Sequence, residues 1–249
     1  MLIERFENVG TPDDPVPVRS CPSPGESDPG PRGRGRWAIA WDPGCASRAA
    51  KRCLDIVGAL LGLLVLAPLL AAVAAAVYLA MGRPVLFAQV RSGYRARPFT
   101  LFKFRTMRTA SGPDGAALPD AERLTRLGRL LRRFSLDELP QLWNVLRGEM
   151  SLVGPRPLLP EYLPLYTPEQ ARRHDVRPGL TGWAQVRGRN AVGWGERLAD
   201  DVWYVEHRSL ALDLKILALT CRRVLDGKGV SGEGEATMAR FRGTGGGTA

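Results

Sequence analysis

The chain has 249 residues, 45% of them hydrophobic, which allows one domain of ordinary size or a smaller domain with tails. Its four cysteines include no C-x-x-C pair, so neither a zinc site nor a disulfide framework is indicated. The formal net charge of +10 suits an anionic partner such as nucleic acid, anionic lipid or phosphate esters.

Residues 1–46 are predicted to form a disordered arm. The segment is rich in Pro, Gly, Ser and Asp, and it holds few large apolar side chains. Such a composition cannot bury enough surface to offset the entropy lost on ordering. A glycine-rich tail, 244–249, is expected to be loose as well.

The longest apolar run of the chain lies within the predicted membrane segment, 47–82. No charged residue occurs from Ile56 to Met81, about 26 residues, and roughly 20 suffice to span a bilayer. A buried core helix is disfavoured at this length. Pro68 interrupts the run near its middle, and basic residues flank both ends (Lys51, Arg52 and Arg83).

Two membrane interpretations of this segment are left open. A helix that enters the bilayer, breaks at Pro68 and returns would keep both basic flanks on one side. Proline is tolerated in many spanning helices, however, and on physical grounds alone the spanning helix is slightly favoured.

Two strands are predicted next, at 83–90 and 99–105, and the glycine in their connection indicates a β-hairpin. Lys103 and Arg105 alternate with Phe102 and Phe104, so one face is cationic and the other apolar. The cationic face is interpreted either as solvated or as a contact for a ligand.

From Ala121 the pattern becomes helical. Leucines recur at spacings of three and four while arginines fill other positions, which is typical of a strongly basic amphipathic helix. Such a helix lies along an anionic lipid surface or faces the core with a solvated arginine side. The neighbouring apolar segment favours the lipid interface. A further helix is predicted at 200–224.

Adjacent carboxylates, Asp137 and Glu138, follow this cluster of arginines. Ser135 and Glu138 also fit a capping box that opens a helix, which would make Glu138 a structural residue. That interpretation does not account for Asp137. A carboxylate beside several cations is expected to be ionised, and it can then bind Mg²⁺ or attack phosphorus.

Glycine-rich turns complete the pattern. The turn around Arg156 fixes one guanidinium between two prolines, and a guanidinium matches phosphate oxygens. Two later turns, at 177–183 and 185–190, allow close backbone approach to a base, ribose or sugar. The candidate contacts for a nucleotide sugar are Lys103, Arg105, Trp183, Gln185, Arg189 and Asn190.

Together these motifs resemble the monotopic bacterial sugar transferases, which are polyprenyl-phosphate phosphoglycosyltransferases. The motifs that carry the resemblance are Lys51–Asp55 before the apolar run, Phe102–Met107, Ser135–Gly148, Met150–Pro157 and Arg177–Val186. The small form looks most like the undecaprenyl phosphate bacillosamine phosphotransferase. The arm before residue 46 departs from that compact form.

The resemblance implies a two-step reaction. Asp137 would attack the sugar-bearing phosphorus of a UDP-sugar, UMP would leave, and undecaprenyl phosphate would take the phosphosugar. Glu138 completes the Asp-Glu pair, Mg²⁺ would sit at Asp137, and Arg132 and Arg156 match phosphate-binding positions.

The resemblance also implies a fold and a location. It implies a mainly helical α+β membrane protein with a re-entrant helix broken at Pro68, interfacial helices and a small β-hairpin. Lys51 and Arg52 would lie beside the lipid phosphate, and a catalytic domain, 83–243, would face the cytoplasm at the bacterial inner membrane. The family often has Ser before the proline, where this chain has Ala67.

The partners that the resemblance implies are a UDP-sugar, undecaprenyl phosphate and the membrane. It implies no binding of nucleic acid, and it leaves open whether the protein forms a homodimer. Two alternatives remain. One is a non-enzymatic membrane adaptor whose basic face binds anionic lipid or nucleic acid. The other is a transferase that moves the sugar alone and leaves UDP.

Overall fold

A computed structural model describes residues 45–109, 118–187, 193–225 and 240–243. The described residues all belong to one unit, Ala40–Ala249. The predicted arm lies outside them except for Cys45 and Ala46, and the predicted tail lies outside them entirely. The described part is mainly helical with two small two-stranded sheets, in agreement with the predicted α+β class.

The apolar segment forms two helices, α1 (Cys45–Val65) and α2 (Ala67–Met81), with a bend of 62° between them. Pro68 lies in the first turn of α2, where a missing amide donor costs little. The N-cap of α2 is Leu66, whose side chain makes no cap hydrogen bond, so the bend forms without a side-chain cap. No single described helix is long and apolar enough to cross a membrane, whereas the bent pair passes that test of length and composition together.

Both ends of the bent pair are fixed to the same unit. Near the start of α1, Arg52 donates to two carbonyl oxygens at the carboxyl end of α5 (Gln141–Arg147), at 2.8 and 3.0 Å. At the end of α2, the Arg105 guanidinium donates to three consecutive carbonyl oxygens, Met81–Arg83. These contacts bring the two ends of the apolar segment back to one body.

Asp55 anchors α1 to the interior. Its carboxylate is 1% exposed and accepts hydrogen bonds from the Leu152 backbone amide (3.0 Å) and the Ser151 hydroxyl (2.9 Å) of β3 (Ser151–Val153). One face of α1 therefore belongs to the protein core, where Ala59 is fully buried. The opposite face of α1 is exposed and apolar, and comprises Ile56, Val57, Leu60, Leu61, Leu64 and Val65.

The predicted β-hairpin is confirmed. Strands β1 (Leu86–Ser92) and β2 (Pro98–Phe104) pair antiparallel, with Leu86 opposite Phe104 and Ser92 opposite Pro98. The hairpin and α2 share a second small core with α4 (Arg126–Arg133), in which Val77 and Leu131 are buried.

The single amphipathic helix predicted from Ala121 is wrong, because the structure has two helices there, α3 (Asp120–Arg123) and α4. Leu124 leaves the helix to form a β-bridge with Met107, and the Thr125 side chain caps α4 by accepting from the Gly128 amide at 2.8 Å. Leu131 faces the core, whereas Leu130 is 50% exposed.

The glycine-rich turns pack against each other. β3 pairs in parallel with β4 (Gly179–Thr181), a sheet that the sequence did not predict. A Cβ on Gly154, Gly179 or Gly182 would overlap backbone atoms of the neighbouring turn, so this close approach requires glycine. The segment around Arg156 is thereby locked to the segment that leads to Gln185.

Four more α-helices follow: α6 (Pro168–Ala171), α7 (Trp183–Arg187), α8 (Trp194–His207) and α9 (Leu210–Leu225). Two 3₁₀ helices, Pro160–Leu165 and Arg172–Asp175, lie on either side of α6. The helix predicted at 200–224 is therefore two helices, and the Ser209 hydroxyl accepts from the Leu212 amide at the start of the second. Tyr204 and Ile216 bury the two helices against the main core.

Candidate active site

The acidic pair lies on a tight turn between two helices. After α4, Ser135 adopts a left-handed conformation with φ of 55°, and a short 3₁₀ helix, Leu136–Glu138, carries both carboxylates. Pro140 then precedes α5. The capping box proposed for Ser135 and Glu138 is wrong, because the Ser135 side chain makes no cap and its backbone is not extended as a cap requires.

Glu138 is instead bound by Arg156. The guanidinium uses both terminal nitrogens, one of them 3.2 Å from Oε2 and the other in closer contact with Oε1. Burial alone would raise the pKa of Glu138, but the Arg156 charge and hydrogen bonds lower it below its ordinary value. The carboxylate of Glu138 is therefore held ionised, and it orients Arg156 beside Asp137.

A buried ion pair holds Arg156 from behind. Arg173 and Asp201, which are both 2% exposed, lie 2.7 Å apart, and Arg173 also donates to the Arg156 backbone carbonyl at 2.7 Å. The Tyr166 hydroxyl accepts from the same guanidinium at 3.3 Å. This pair was missed from the sequence, since Arg173 and Asp201 are 28 residues apart and lie in no motif.

Asp137 is 5% exposed and is surrounded by the charges expected of it. Burial and then the neighbouring Glu138 raise the pKa of Asp137 to about 6, against the opposing charges of Lys103, Arg132 and Arg156. Above pH 6 the ionised form of Asp137 is the major one, but the expectation that the neighbouring cations would favour ionisation is wrong, because burial outweighs them. The carboxylate is poorly solvated and therefore more reactive than an exposed aspartate.

Lys103 and Arg132 are the other predicted residues that the structure brings to Asp137. Lys103 projects from β2, and burial lowers the pKa of its ammonium group. Arg132 lies in the last turn of α4, and its Nε donates to the Thr106 hydroxyl at 3.1 Å. Three cations therefore surround one buried carboxylate, an arrangement suited to a group with several anionic oxygens.

Three predicted residues, Lys51, Arg52 and Arg105, lie elsewhere. Lys51 forms ion pairs with Asp55 and Asp213 at 3.1 Å, and Arg52 binds the end of α5, so both residues hold α1 in place. Their contact with a lipid phosphate stays a prediction. Arg105 follows the end of β2, is buried, and binds the end of α2 rather than sharing a cationic face with Lys103.

The remaining candidates divide into three cases. Trp183 stacks on Trp203, with ring centres 4.8 Å apart, in the packing between α7 and α8. Gln185 lines a cavity that also reaches Glu138 and Arg156. Arg189 and Asn190 lie outside the described residues.

Arg91 on β1 was also missed. Burial and the nearby Arg156 lower the pKa of its guanidinium to about 10. The strand end is fixed beside the Arg156 segment, because the Ser92 amide donates to the Leu158 carbonyl at 3.0 Å. A lone arginine in a short strand carries no sequence signal of such a position.

The side chains around Asp137 could hold Mg²⁺ only if a bound phosphate ligand supplied further oxygen atoms. Among the described residues, no group of three or more His, Cys, Asp or Glu side chains is placed to hold a metal. Glu138 is engaged by Arg156, which leaves Asp137 as the carboxylate for a cation. Mg²⁺ is commonly bound by one or two carboxylates with phosphate oxygens and water, so Asp137 with a pyrophosphate would suffice.

Comparison with known proteins gives a consistent assignment. The sequence profile described as "Bacterial sugar transferase" matches residues 46–227. The chain is 53% identical over 195 residues to the "Uncharacterized sugar transferase EpsL" of Bacillus subtilis (strain 168), covering 78% of this chain and 96% of that protein.

Two further relatives carry more specific names. Identity is 46% over 193 residues to the UDP-glucose:undecaprenyl-phosphate glucose-1-phosphate transferase of Caulobacter vibrioides, with 74% of this chain and 72% of that protein covered. Identity is also 46% over 187 residues to the undecaprenyl-phosphate glucose phosphotransferase of Komagataeibacter xylinus, with 70% of this chain covered. The chain spans only about a third of that longer protein, 35%.

Proposed function

The chain belongs to the bacterial sugar transferase family, and from this premise we propose that it moves a sugar 1-phosphate from a UDP-sugar to undecaprenyl phosphate. The observation that carries the proposal is the buried Asp137, with its pKa near 6, beside a Glu138 that Arg156 keeps ionised. The names of two relatives contain the same acceptor.

In the first step, an oxygen of Asp137 attacks the sugar-bearing phosphorus of the donor. A bond forms between the carboxylate oxygen and phosphorus, the bond from phosphorus to the bridging oxygen breaks, and UMP leaves with that electron pair. Lys103, Arg132 and Arg156 bind the anionic oxygens and stabilise the charge that develops on them. Mg²⁺ bound at Asp137 and the pyrophosphate would supply further charge neutralisation.

In the second step, a phosphate oxygen of undecaprenyl phosphate attacks the same phosphorus. The acyl phosphate bond to Asp137 breaks, the carboxylate is restored, and the product is a sugar-diphospho-undecaprenol. Both partners of this step are anions, so the three cations around Asp137 are needed again to reduce their repulsion.

We place the active site at the cytoplasmic face of the inner membrane, with the bent pair re-entering on one side. This topology is supported by the two ends of the pair, because Arg52 and Arg105 fix them to the same body. It is also supported by the exposed apolar face of α1, which would lie in lipid. Asp137 would then meet the lipid phosphate at the headgroup level.

The donor sugar is left to experiment. The names of the two relatives described above contain glucose, whereas the compact motif pattern resembles the bacillosamine enzyme. UDP-glucose and UDP-bacillosamine therefore belong first in any panel of donors.

The test uses the full chain in detergent with undecaprenyl phosphate, Mg²⁺ and a panel of UDP-sugars, and it measures UMP release. We expect release with one donor and its loss in Asp137→Asn. Trapping of a phosphosugar on Asp137 would identify the covalent intermediate. Wild-type turnover by Asp137→Asn would contradict the assignment of the nucleophile.

The same assay separates the alternatives. Release of UDP in place of UMP would indicate a transferase that moves the sugar alone. An adaptor that binds anionic lipid or nucleic acid would release neither nucleotide, and its binding would survive substitution of both carboxylates but fail when several arginines are removed.

A further inference from the structure

A cavity of about 420 Å³ lies at the bend between α1 and α2 and extends to the candidate active site. Leu66 and Leu69 line it at the bend, and Glu138 and Arg156 belong to the same lining. The cavity therefore joins the apolar segment to the acidic pair. The proposed reaction assigns no ligand to it.

The wall of the cavity is mainly apolar. Leucines from three separate parts of the chain contribute to it: Leu139 follows the acidic pair, Leu180 lies in β4 and Leu217 lies in α9. Each of these leucines remains partly exposed. A buried water molecule needs about two to four polar partners, so such a wall favours an apolar group over water.

Arg197 of α8 gives the lining a charge that the fold does not compensate. Two other lining arginines have carboxylate partners, since Arg156 binds Glu138 and the Arg173 guanidinium binds a buried aspartate. Arg197 is half-buried, yet among the described residues its guanidinium has no hydrogen bond or ion pair and only lies over an indole ring, 5.6 Å from the ring centre. A partly desolvated cation of this kind is suited to bind an anion.

The position of Arg197 relates it to the acidic pair through Arg156. Burial lowers the pKa of the Arg197 guanidinium, and the nearby charge of Arg156 lowers it further. The same Arg156 charge also acts on Asp137, whereas Arg197 is not among the charges that shift the pKa of Asp137. An anion at Arg197 would therefore lie near Arg156 while leaving Lys103 and Arg132 to the group bound at Asp137.

The chemistry of the cavity narrows the ligand to an amphiphile with one apolar chain and one anionic group. A polyprenyl phosphate has this form, because its phosphate is attached directly to the end of a single chain. A phospholipid carries two chains on a glycerol, so that branch separates its phosphate from either chain. A nucleoside would place the polar edges of its base against leucines, which is unfavourable.

Resting on the proposed function, we propose that this cavity binds the acceptor, with the first isoprene units of undecaprenyl phosphate against the leucines and its phosphate at Arg197. This assignment replaces Lys51 and Arg52 as the lipid-phosphate contacts, since both are engaged within the protein and neither lines the cavity. The bent pair is then part of the acceptor site, because Leu66 and Leu69 would contact the chain.

The first test is photo-crosslinking of the full chain in detergent, without a donor. The probe is farnesyl phosphate with a diazirine at the far end of its chain, and mass spectrometry locates the labelled residues. We expect labels on the cavity leucines. Leu217→Trp fills the cavity and should reduce this labelling by about tenfold, because overpacking opposes entry of the chain.

Leu79→Trp is the matched control, since Leu79 of α2 is 83% exposed and lies outside the lining. It should be labelled as wild type is. Leu69→Trp, in the same helix but at the cavity, provides a second filling variant whose labelling should also fall, should Leu217→Trp not fold.

The second test concerns the charge. Arg197→Met keeps a long side chain but removes the guanidinium, so half-saturation of labelling should need about ten- to a hundredfold more probe. The same probe as the alcohol, farnesol, should label wild type and Arg197→Met equally. Arg172→Met removes an exposed arginine that pairs with Glu206, and it should leave labelling by the phosphate probe unchanged.

Four results would each overturn the proposal. Labels confined to the exposed face of α1 would place the chain outside the cavity, and equal binding of the phosphate probe by wild type and Arg197→Met would remove the role of Arg197. Displacement of the probe by uridine would assign the cavity to the nucleoside. Displacement by phosphatidylglycerol as effectively as by undecaprenyl phosphate would make it a general lipid site.

These measurements separate the acceptor site from the proposed reaction, because labelling needs no turnover. Labelling as expected, with no donor releasing UMP, would reject only the reaction. Release of UMP that depends on Asp137, with labels outside the cavity, would reject only the acceptor site.

Discussion

Replacing Asp137 with asparagine should stabilise the protein while abolishing its activity. Burial and the adjacent Glu138 raise the pKa of Asp137 to about 6, from an ordinary value of 3.8. Since the folded state holds this proton more tightly than the unfolded state, stability falls as the pH rises from about 4 to about 6 and then stays level. A shift of about two units corresponds to about 3 kcal/mol lost above pH 6.

Asparagine avoids that loss but must bury a neutral amide, so we expect a net gain of about 1–3 kcal/mol at pH 7.5. For a chain of this size the unfolding midpoint should rise by roughly 2–10 °C. At pH 5 the gain over wild type should be smaller by about 1.4 kcal/mol, because wild-type Asp137 is then largely protonated. Thermal unfolding in detergent at the two pH values measures both quantities.

Glu138→Gln is the matched control, since it makes the same chemical change one residue later. In wild type the Glu138 carboxylate is bound by Arg156. The free energy of unfolding of Glu138→Gln should therefore be lower than that of wild type by about 1–3 kcal/mol. If Asp137→Asn destabilised the protein at pH 7.5, or if its gain did not depend on pH, the reasoning about a poorly solvated nucleophile would be refuted.

Three further predictions follow from the same structure. Wild-type kcat/KM for UMP release should fall on the acid side with a midpoint near pH 6, as Asp137 is protonated, and a midpoint near 4 would contradict its burial. Gly128→Ala should lower the free energy of unfolding by at least about 2 kcal/mol, because the added Cβ would overlap a backbone carbonyl. Its control, Gly195→Ala, adds a Cβ in open space and should leave the free energy of unfolding unchanged or raise it in the same thermal unfolding assay. Arg105→Met removes three hydrogen bonds to backbone carbonyls and should lower the free energy of unfolding by about 2–4 kcal/mol. Its control, Arg126→Met on the exposed side of α4, should change the free energy of unfolding by less than about 0.5 kcal/mol.

The local parts of the fold could be predicted because their causes lie within a few residues. Pro68 fixes the position of the bend, and alternation with a glycine-containing connection fixes the hairpin. The break between α3 and α4 could not be predicted, because it depends on Leu124 pairing with Met107, 17 residues earlier in the chain. The parallel pair of β3 and β4 has three residues in each strand, too few for any periodicity to show.

The site residues that lie close together in the sequence could be predicted. Those that come together only through tertiary packing could not. Asp137, Glu138 and Arg132 lie within one segment, and the prolines on either side of Arg156 mark it as a rigid cation. Arg105 looked like a ligand contact because its partners, the carbonyl oxygens at the end of α2, are more than twenty residues away. The buried pair of Arg173 and Asp201 likewise exists only through tertiary packing.

The anchoring of α1 through Asp55 has a consequence for how the protein is made. Ala59, Val73 and Val77 of the apolar segment fill both the main core and the smaller core around Leu131. A shortened chain that begins after Met81 would leave these cores open and would expose unpaired polar groups of β3, so it should aggregate rather than yield a soluble enzyme. During synthesis, the catalytic part can therefore finish folding only once the apolar segment has packed against it, so the two complete their folding together.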